Sequence, residues 1–523
     1  MGIYINQGNE GFQSARNGEY VDKSELVAVV NKTLFTEHRF SCVARCRRFG
    51  KSMAAKMLAA YYDHSCDSRS LFEDLKIAHD SSFEKHLNKY PVIYVDMTDF
   101  LTRFRNGDVV GELESSVMED VHNAYPQVPS EEKDDLMAFL LRVAMTTEER
   151  FFFIIDEWDA ICREYPSDSQ EMNRYVDLLR RMFKSSQANR VFSGVYMTGI
   201  LPIKKYKTQS ALNNFTEYSM VEPGNMAGLF GFTKDEVMSL VTEKSMDFTE
   251  LESWYDGYQI GDISSIFNPN SVILALLRGR CSSYWGRTAT FETIVPYIQM
   301  NFEGLKDDII KMLGGGRCFV DPSGFQNDLS IVNSRDDVLT VLIHLGYLSY
   351  NWKESECYIP NREVSEEMAN AVKTNGWKGV TEALLSSRQL LRDTLEGNSE
   401  AVAHNIENVH DENTSILSYN NENSLACVIS LAYYYAKNDY IVHREYSTGK
   451  GFADLVLIPR KNVDSPAIVV ELKYNETAET GLSQIKRKNY PAKLQEYTDR
   501  LMLVGISYDR KEKKHTCVIE KLW

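Results

Sequence analysis

The chain has no run of roughly 18 uninterrupted apolar residues, so no membrane-crossing helix is expected. Its first residues carry neither the basic start nor the apolar stretch of a secretory leader, and Asn6 stands where a myristoylation signal needs Ser or Thr. Cysteine is sparse: nine in 523 residues, scattered, with Cys42 and Cys46 the closest pair. No second pair or nearby histidine completes a zinc set, which predicts free thiols in a reducing cytosol. Positive charge is in deficit, 58 Lys+Arg against 74 Asp+Glu, for a net charge of −16. Non-specific nucleic-acid binding rests on neutralising phosphates, so this balance excludes a general nucleic-acid coat but leaves room for a local basic groove. Internal repeats and low-complexity tracts are missing as well.

What is present is the composition of an ordinary globular protein, 43% hydrophobic and 25% charged, with 29 Tyr and 24 Phe that oppose extensive disorder. A chain this long exceeds one hydrophobic core, and about two to four domains are expected. Phe40–Ala44, Val92–Val95, Phe151–Ile155 and Val191–Met197 read as buried parallel strands. Between them lie helical patterns such as Lys51–Tyr62 and Asp134–Thr147, which implies an α/β sheet covered on both faces. This first domain is set at 1–240. The stretch 241–375 reads as a mostly helical lid or spacer, with helices at Asn270–Leu277, Gly304–Leu313 and Arg335–Leu345 and a hairpin around Gly346–Tyr358. Gly314-Gly315-Gly316 there is either a phosphate cradle or a turn. The last domain, 376–523, opens with helices and a polar connector from Glu396 to Asn423. A helix at Ser424–Lys437, strands at Tyr440–Tyr446, Ala453–Ile458 and Ala467–Leu472, a helix at Leu482–Tyr497, a strand at Leu501–Ser507 and a charged hairpin follow.

Two stretches carry chemistry. Phe40–Ala44 leads through Arg45-Cys46-Arg47-Arg48-Phe49-Gly50 into a helix that starts at Lys51-Ser52. A strand, a loop and a helix N-terminus put backbone N–H groups and the positive helix end against a phosphate. Lys51 would reach the outer phosphates and Ser52 would ligate magnesium. The full pattern asks for glycine where Arg45 stands. Downstream, the apolar strand 151–155 ends in Asp156 and Glu157, placed to hold the magnesium shell and to orient the attacking water. Thr198 ends a neighbouring strand, as a contact to the γ-phosphate or as a plain strand cap. In the last domain Asp454 is followed seventeen residues later by Glu471, in Glu471-Leu472-Lys473. Residues i and i+2 share a strand face, so Glu471 and Lys473 point together and Asp454 can join them if the strands pair. Two such carboxylates can share a magnesium that activates water, with the lysine beside it. Lys486-Arg487-Lys488 and Lys511–Lys514 are either solvated surface or nucleic-acid contacts.

Many motifs occur in order: Tyr20-Val21-Asp22-Lys23, the loop at 45–52, Ile155-Asp156-Glu157, Thr198-Gly199-Ile200, Ala211-Leu212-Asn213-Asn214, Trp254-Tyr255-Asp256-Gly257-Tyr258, Leu345-Gly346-Tyr347-Leu348 and Ile359-Pro360-Asn361-Arg362-Glu363-Val364. Together they resemble the bacterial AAA-ATPase-like proteins whose phosphate loop reads Arg-Pro-Arg-Arg-Phe-Gly-Lys-Ser. Cys46 replaces the usual proline. The carboxy-terminal set resembles a PD-(D/E)XK nuclease core, a restriction-endonuclease-like α/β fold, with Glu422 on the leading helix, Asp454, Glu471 and Lys473, and with Gln484 and Tyr490 on the next helix. The resemblance implies a P-loop domain binding ATP through Arg45, Arg47, Arg48, Gly50, Lys51, Ser52, Asp156 and Thr198, with Glu157 catalytic. It further implies a magnesium-dependent nuclease in which Glu422, Asp454 and Glu471 bind metal, with manganese as a substitute, and Lys473 and Gln484 assist. The expected partner is nucleic acid, DNA ahead of RNA, with homo-oligomerisation open and a cytoplasmic location. A non-cleaving, ATP-switched binding protein is the alternative.

Overall fold

A computed structural model of the chain describes residues 2–104, 107–131, 133–165, 170–203, 205–206, 209–210, 212–244, 246–287, 291–300, 302–329, 331–374, 377–413, 422–447, 452–460, 463–487, 494, 497 and 500–523. The chain divides into two compact units that interleave in sequence. The first comprises Met1–Met246, Gly257–Gly279 and Val320–Ser355; the second comprises Asp247–Asp256, Arg280–Phe319 and Glu356–Trp523. The stretch between the two sheets is mainly helical, and its helices are shared between the units: Pro269–Arg278 and Arg335–Leu345 in the first, Leu305–Leu313 in the second. No helix among the described residues is long and apolar enough to cross a membrane.

The first unit is built on a five-stranded parallel sheet of β1 (Phe40–Ala44), β2 (Val92–Asp96), β3 (Phe151–Asp156), β4 (Phe192–Gly199) and β5 (Thr216–Tyr218), in the order β2-β3-β4-β1-β5. Every side chain of β3 is buried, as a parallel strand covered on both faces requires. Alternation sorts them: Phe151, Phe153 and Ile155 enter one apolar layer, and Phe152 and Ile154 the other. Each such burial contributes about 1.5–3 kcal/mol. Helix α1 (Lys51–Tyr62) packs in the second layer through Leu58, Tyr61 and Tyr62. Helix α2 (Leu136–Thr147) lies in the first, its N-terminus capped by Asp135 accepting from the Ala138 N–H at 2.8 Å.

The second unit carries helices α3 (Arg362–Thr374), α4 (Ser399–Asn413) and α5 (Glu422–Ala432) and a five-stranded mixed sheet. Its strands are β6 (Tyr440–Ser447), β7 (Phe452–Pro459), β8 (Ala467–Tyr474), β9 (Leu501–Asp509) and β10 (Lys514–Leu522), in sequence order across the sheet. Only β8 and β9 run parallel, and helix α6 (Ala478–Arg487) connects them. Such a connection between parallel neighbours is the expected use of a helix.

Two expectations change here, and for the triple glycine the turn is the alternative that holds. The polar stretch from Glu396 is no loop over 399–413: it forms α4, held by buried Val402, Ile406 and Val409 at helical spacing. Gly314–Gly316 close a helix: the N–H groups of Gly315 and Gly316 donate to the Met312 and Lys311 carbonyls, with Gly315 at φ 79°. The helix expected to start at Leu482 begins at Ala478; Tyr490 lies outside the described residues.

Candidate functional site

β1 delivers the chain into the loop at 45–50. The Arg45 N–H donates to the Gly199 carbonyl at 3.0 Å, extending the β1–β4 ladder by one rung. Its side chain then turns inward and is fully buried. Nη1 donates to the carbonyls of Ala44, Tyr218 and Ser219 at 2.9 Å each, Nη2 donates to Met226 at 3.3 Å, and the guanidinium covers the Phe230 ring. Burial lowers its pKa to about 10. Arg45 is thereby removed from the set expected to face a nucleotide. It underpins the loop through four carbonyls instead.

Above it the loop tightens. Arg48 (φ 68°) and Gly50 (φ 87°) are both left-handed, and Gly50 is the residue that enters α1. A glycine serves there because a side chain at that φ is strained. Lys51 is buried; its Nζ donates back to the Cys46 carbonyl at 3.1 Å and lies 3.6 Å from Glu157 Oε1. Burial raises the Cys46 thiol to about 12, so the residue standing in for proline is an inert filler. Gly50, Lys51, Ser52 and Arg48 line a cavity of about 370 Å³, with Glu157 on its wall. Tyr20, Val21, Phe232 and Ile273 give that cavity an apolar side.

Asp156 ends β3 and is fully buried. It accepts from Thr198 Oγ1 and, at 3.1 Å, from the Tyr94 hydroxyl. Thr198 also accepts the Glu157 N–H at 3.3 Å, so the ends of β3 and β4 are tied beside the loop. Glu157 sits at φ 53°, a left-handed conformation that costs a non-glycine residue about 1–3 kcal/mol. Two residues absent from the sequence-based set hold it. Arg163 donates to Glu157 at 2.8 Å and to the buried Asp159 at 2.8 Å. Burial pushes the Glu157 carboxyl up, but Lys51, Arg163 and Arg47 outweigh it and hold the group below its ordinary value. The i, i+4 spacing of Asp159 and Arg163 is a signal that could have found this brace.

In the second unit, β7 and β8 pair antiparallel with Leu455 opposite Val470. One step along that register puts Asp454 opposite Glu471. Asp454 Oδ2 accepts the Leu472 N–H at 2.7 Å, which draws its carboxylate over β8. Glu471 is buried; its Oε1 accepts from Gln484 Nε2 on α6 and lies 3.5 Å from Lys473 Nζ. Asp454, Glu471, Lys473 and Gln484 are therefore brought together. Glu422 opens α5, and its side chain lies outside the described residues. Among the described residues no group of three or more His, Cys, Asp or Glu side chains could hold a metal. Two glycines set the approach of α6: a Cβ on Gly505, the β9 partner of Glu471, would meet the Ala478 carbonyl at 2.2 Å, and one on Gly481 the Glu471 carbonyl at 3.3 Å. Lys486 pairs with Glu520 at 2.7 Å, and Lys511, Lys513 and Lys514 are exposed; Lys488 lies outside the described residues.

Residues 8–208 match the family described as "Predicted AAA-ATPase", and residues 420–517 match the PD-(D/E)XK nuclease superfamily. The chain joins an AAA-ATPase-like domain to a PD-(D/E)XK-superfamily domain. No curated protein matches it. Among solved structures, the Aeropyrum pernix ORC2 protein (ADPNP–ADP complexes) is similar over 71% of this chain and 99% of its own, at 11% identity and a TM-score of 0.31. The Aeropyrum pernix ORC1 protein in complex with DNA is similar over 71% and 97%, at 13% identity and a TM-score of 0.24. Likeness this slight says nothing of what this chain binds.

Proposed function

We propose that the chain binds and hydrolyses ATP in its first unit and cleaves phosphodiester bonds in its second, with nucleotide state controlling cleavage. The observation that carries the second activity is the convergence of Asp454, Glu471, Lys473 and Gln484 on one face of β7 and β8. A buried acid with a register-opposite partner suits a divalent cation: Asp454 and Glu471 would hold magnesium, or manganese in its place. The bound ion would supply an activated water and charge neutralisation at the phosphorus. Lys473 stands beside Glu471 to meet charge developing on the phosphate, and Gln484 orients the Glu471 carboxylate. The substrate is nucleic acid, DNA ahead of RNA.

ATP fits the first unit because loop, helix end and lysine surround one cavity. Lys51 and the α1 N-terminus receive the phosphates, Ser52 and Asp156 hold the magnesium shell, and Glu157 orients water. The apolar wall of Tyr20, Val21 and Ile273 takes the base. Nucleic-acid cleavage with magnesium, with and without ATP, tests the reading; Asp454→Ala, Glu471→Ala and Lys473→Ala proteins that all cleave at the parental rate would defeat it. One observation favours a second reading, a non-cleaving ATP-switched regulator: Glu471 Oε1 already accepts from Gln484 Nε2 and lies 3.5 Å from Lys473 Nζ. That reading predicts nucleotide-dependent binding with no bond broken under any metal.

A further inference from the structure

The second unit holds a cavity of about 290 Å³ that includes neither Asp454 nor Glu471. Arg362, Lys437, Arg444 and Arg460 all line it, and Met312 and Val442 add apolar surface. Arg362 opens α3 directly after Ile359-Pro360-Asn361, a stretch that neither proposed activity uses. Across the β6–β7 ladder Val442 pairs with Leu457 and Arg444 with Leu455. Paired residues share a face and neighbours along a strand alternate, so Asp454 projects from the opposite side of the sheet. The cavity is a separate site.

Its four cations have neutral as well as acidic partners among the described residues. Arg362 is met by Glu366 at 3.0 Å and Asn438 at 2.8 Å, and its guanidinium lies 4.0 Å from the Trp254 ring centroid. Lys437 donates to Ser365 Oγ at 3.2 Å, and Arg444 Nη1 to the Gly314 carbonyl at 3.1 Å. Arg460 Nη2 reaches Ser253 Oγ at 3.3 Å and the Lys437 carbonyl at 3.2 Å. Its Nε and Nη1 are buried and find no acceptor among the described residues, and Asn361 Nδ2 is in the same position. Buried donors without acceptors are rare because each forfeits its hydration. Three of them belong to residues that line this cavity together with Arg362, Lys437 and Arg444, a lining suited to an anion. Burial and then Arg362 pull the Lys437 ammonium down to about 8. Glu250 and Asp439 act on Arg460 only in partial compensation, since its guanidinium is also shifted down, first by burial.

We propose that this cavity binds a phosphate monoester, with Arg362, Lys437, Arg444 and Arg460 receiving the phosphate and the apolar wall packing on the molecule that carries it. Arginine is the side chain suited to phosphate, through its planar fork of donors. The volume is near the lower end of small-molecule pockets, about 300–1,000 Å³, and exceeds the need of a bare phosphate. Two sources share this chemistry, a free mononucleotide and the 5′-phosphate of a nucleic-acid strand.

The test uses the full chain carrying Lys51→Ala, which silences the phosphate loop, with divalent metal withheld from Asp454 and Glu471. Calorimetric titrations with AMP, inorganic phosphate and a short oligonucleotide with or without a 5′-phosphate give the affinities. One AMP or one 5′-phosphorylated strand per chain is expected, weakened at least tenfold by Arg460→Gln, by Arg444→Gln and by Ile359→Trp, which fills the cavity while sparing its cations. AMP as the tighter probe assigns a free nucleotide; the phosphorylated strand as the tighter probe, with its unphosphorylated twin silent, assigns a strand end. Absence of saturable binding by every phosphate probe overturns the proposal. So does binding that persists unchanged in whichever of the three variants melt cooperatively, as the parent does.

Discussion

Arg163 donates to Glu157 Oε2 at 2.8 Å, and Lys51 Nζ lies 3.6 Å from the other oxygen of the same carboxylate. Glu157 is thus clamped between two cations at the end of β3, and they overcome a burial that alone would raise its pKa. The sign follows: its folded pKa is depressed, so its contribution to stability is full above the unfolded carboxylate value and is lost as pH falls through the lower folded value. For catalysis the same shift keeps Glu157 ionised through the ordinary carboxylate range. Arg163→Met removes one clamp, and the acid limb of the kcat–pH profile for ATP hydrolysis is expected to move to higher pH. Superimposable profiles for the two proteins would show that Glu157 does not set that limb.

The phosphate loop predicts a ligand-linked gain in stability. ATP with magnesium at about 100 times its Kd stabilises the folded chain by about 2.7 kcal/mol, read as a rise in Tm. Lys51→Ala is expected to erase most of that gain, and to lower the ligand-free Tm only by what its donation to the Cys46 carbonyl and its pairing with Glu157 contribute. A variant that keeps the full ATP-induced rise would place the nucleotide elsewhere.

Arg45 makes the contrasting case. Its guanidinium satisfies four buried carbonyls, and each one left unpaired costs about 1–3 kcal/mol. Arg45→Met should therefore lower the ligand-free Tm by far more than Lys51→Ala does, and lose ATP only because the loop loses its support. Thermal melts of the two variants side by side, without nucleotide, separate the roles. Equal Tm values would return Arg45 to the nucleotide-facing set.

That division of labour among the loop arginines marks where sequence reading stops. Arg45, Arg47 and Arg48 look interchangeable in the chain, and three of the four carbonyls that capture Arg45 belong to Tyr218, Ser219 and Met226, 173, 174 and 181 residues downstream. By contrast, β1, β3 and α1 were legible because their apolar runs and periods need no distant partner. Glu471 and Lys473 were legible as a pair by strand alternation alone, and Asp454 once β7 and β8 were taken to pair. Helix α4 was hidden by polar composition, although Val402, Ile406 and Val409 carry the helical period. The interleaving of the two units across 247–355 has no local signature, since it depends on which distant surfaces each helix meets.

Gly505 is where packing and chemistry meet in the second unit. A Cβ there would lie 2.2 Å from the Ala478 backbone carbonyl, so Gly505→Ala must lift the start of α6 from the sheet. Overpacking of this kind costs about 1–3 kcal/mol. Because α6 carries Gln484 to Glu471, nuclease activity should fall together with the denaturant midpoint, and ATP hydrolysis should not. An unchanged midpoint would mean that α6 can shift freely, and that Gln484 owes its place to something other than close packing.

The two carboxylates of the second unit differ in how they are held, and that difference can be read. Glu471 is buried and bonded to the Gln484 side chain, whereas Asp454 accepts a backbone N–H, from Leu472. Asp454→Ala and Glu471→Ala should each lower magnesium-dependent cleavage by about 10²–10³, the scale of removing one preorganised electrostatic group. Glu471→Gln keeps the volume and an acceptor for Gln484, so it should spare stability while still removing cleavage. Chelation of divalent metal should match a chain carrying both Asp454→Ala and Glu471→Ala, since metal and carboxylates act as one unit. Lys473→Ala should lower the rate at saturating metal with little change in the metal concentration needed, because the lysine is no ligand of the ion and serves the phosphate. If Lys473→Ala instead weakens metal binding, the lysine acts through Glu471 rather than on the phosphate.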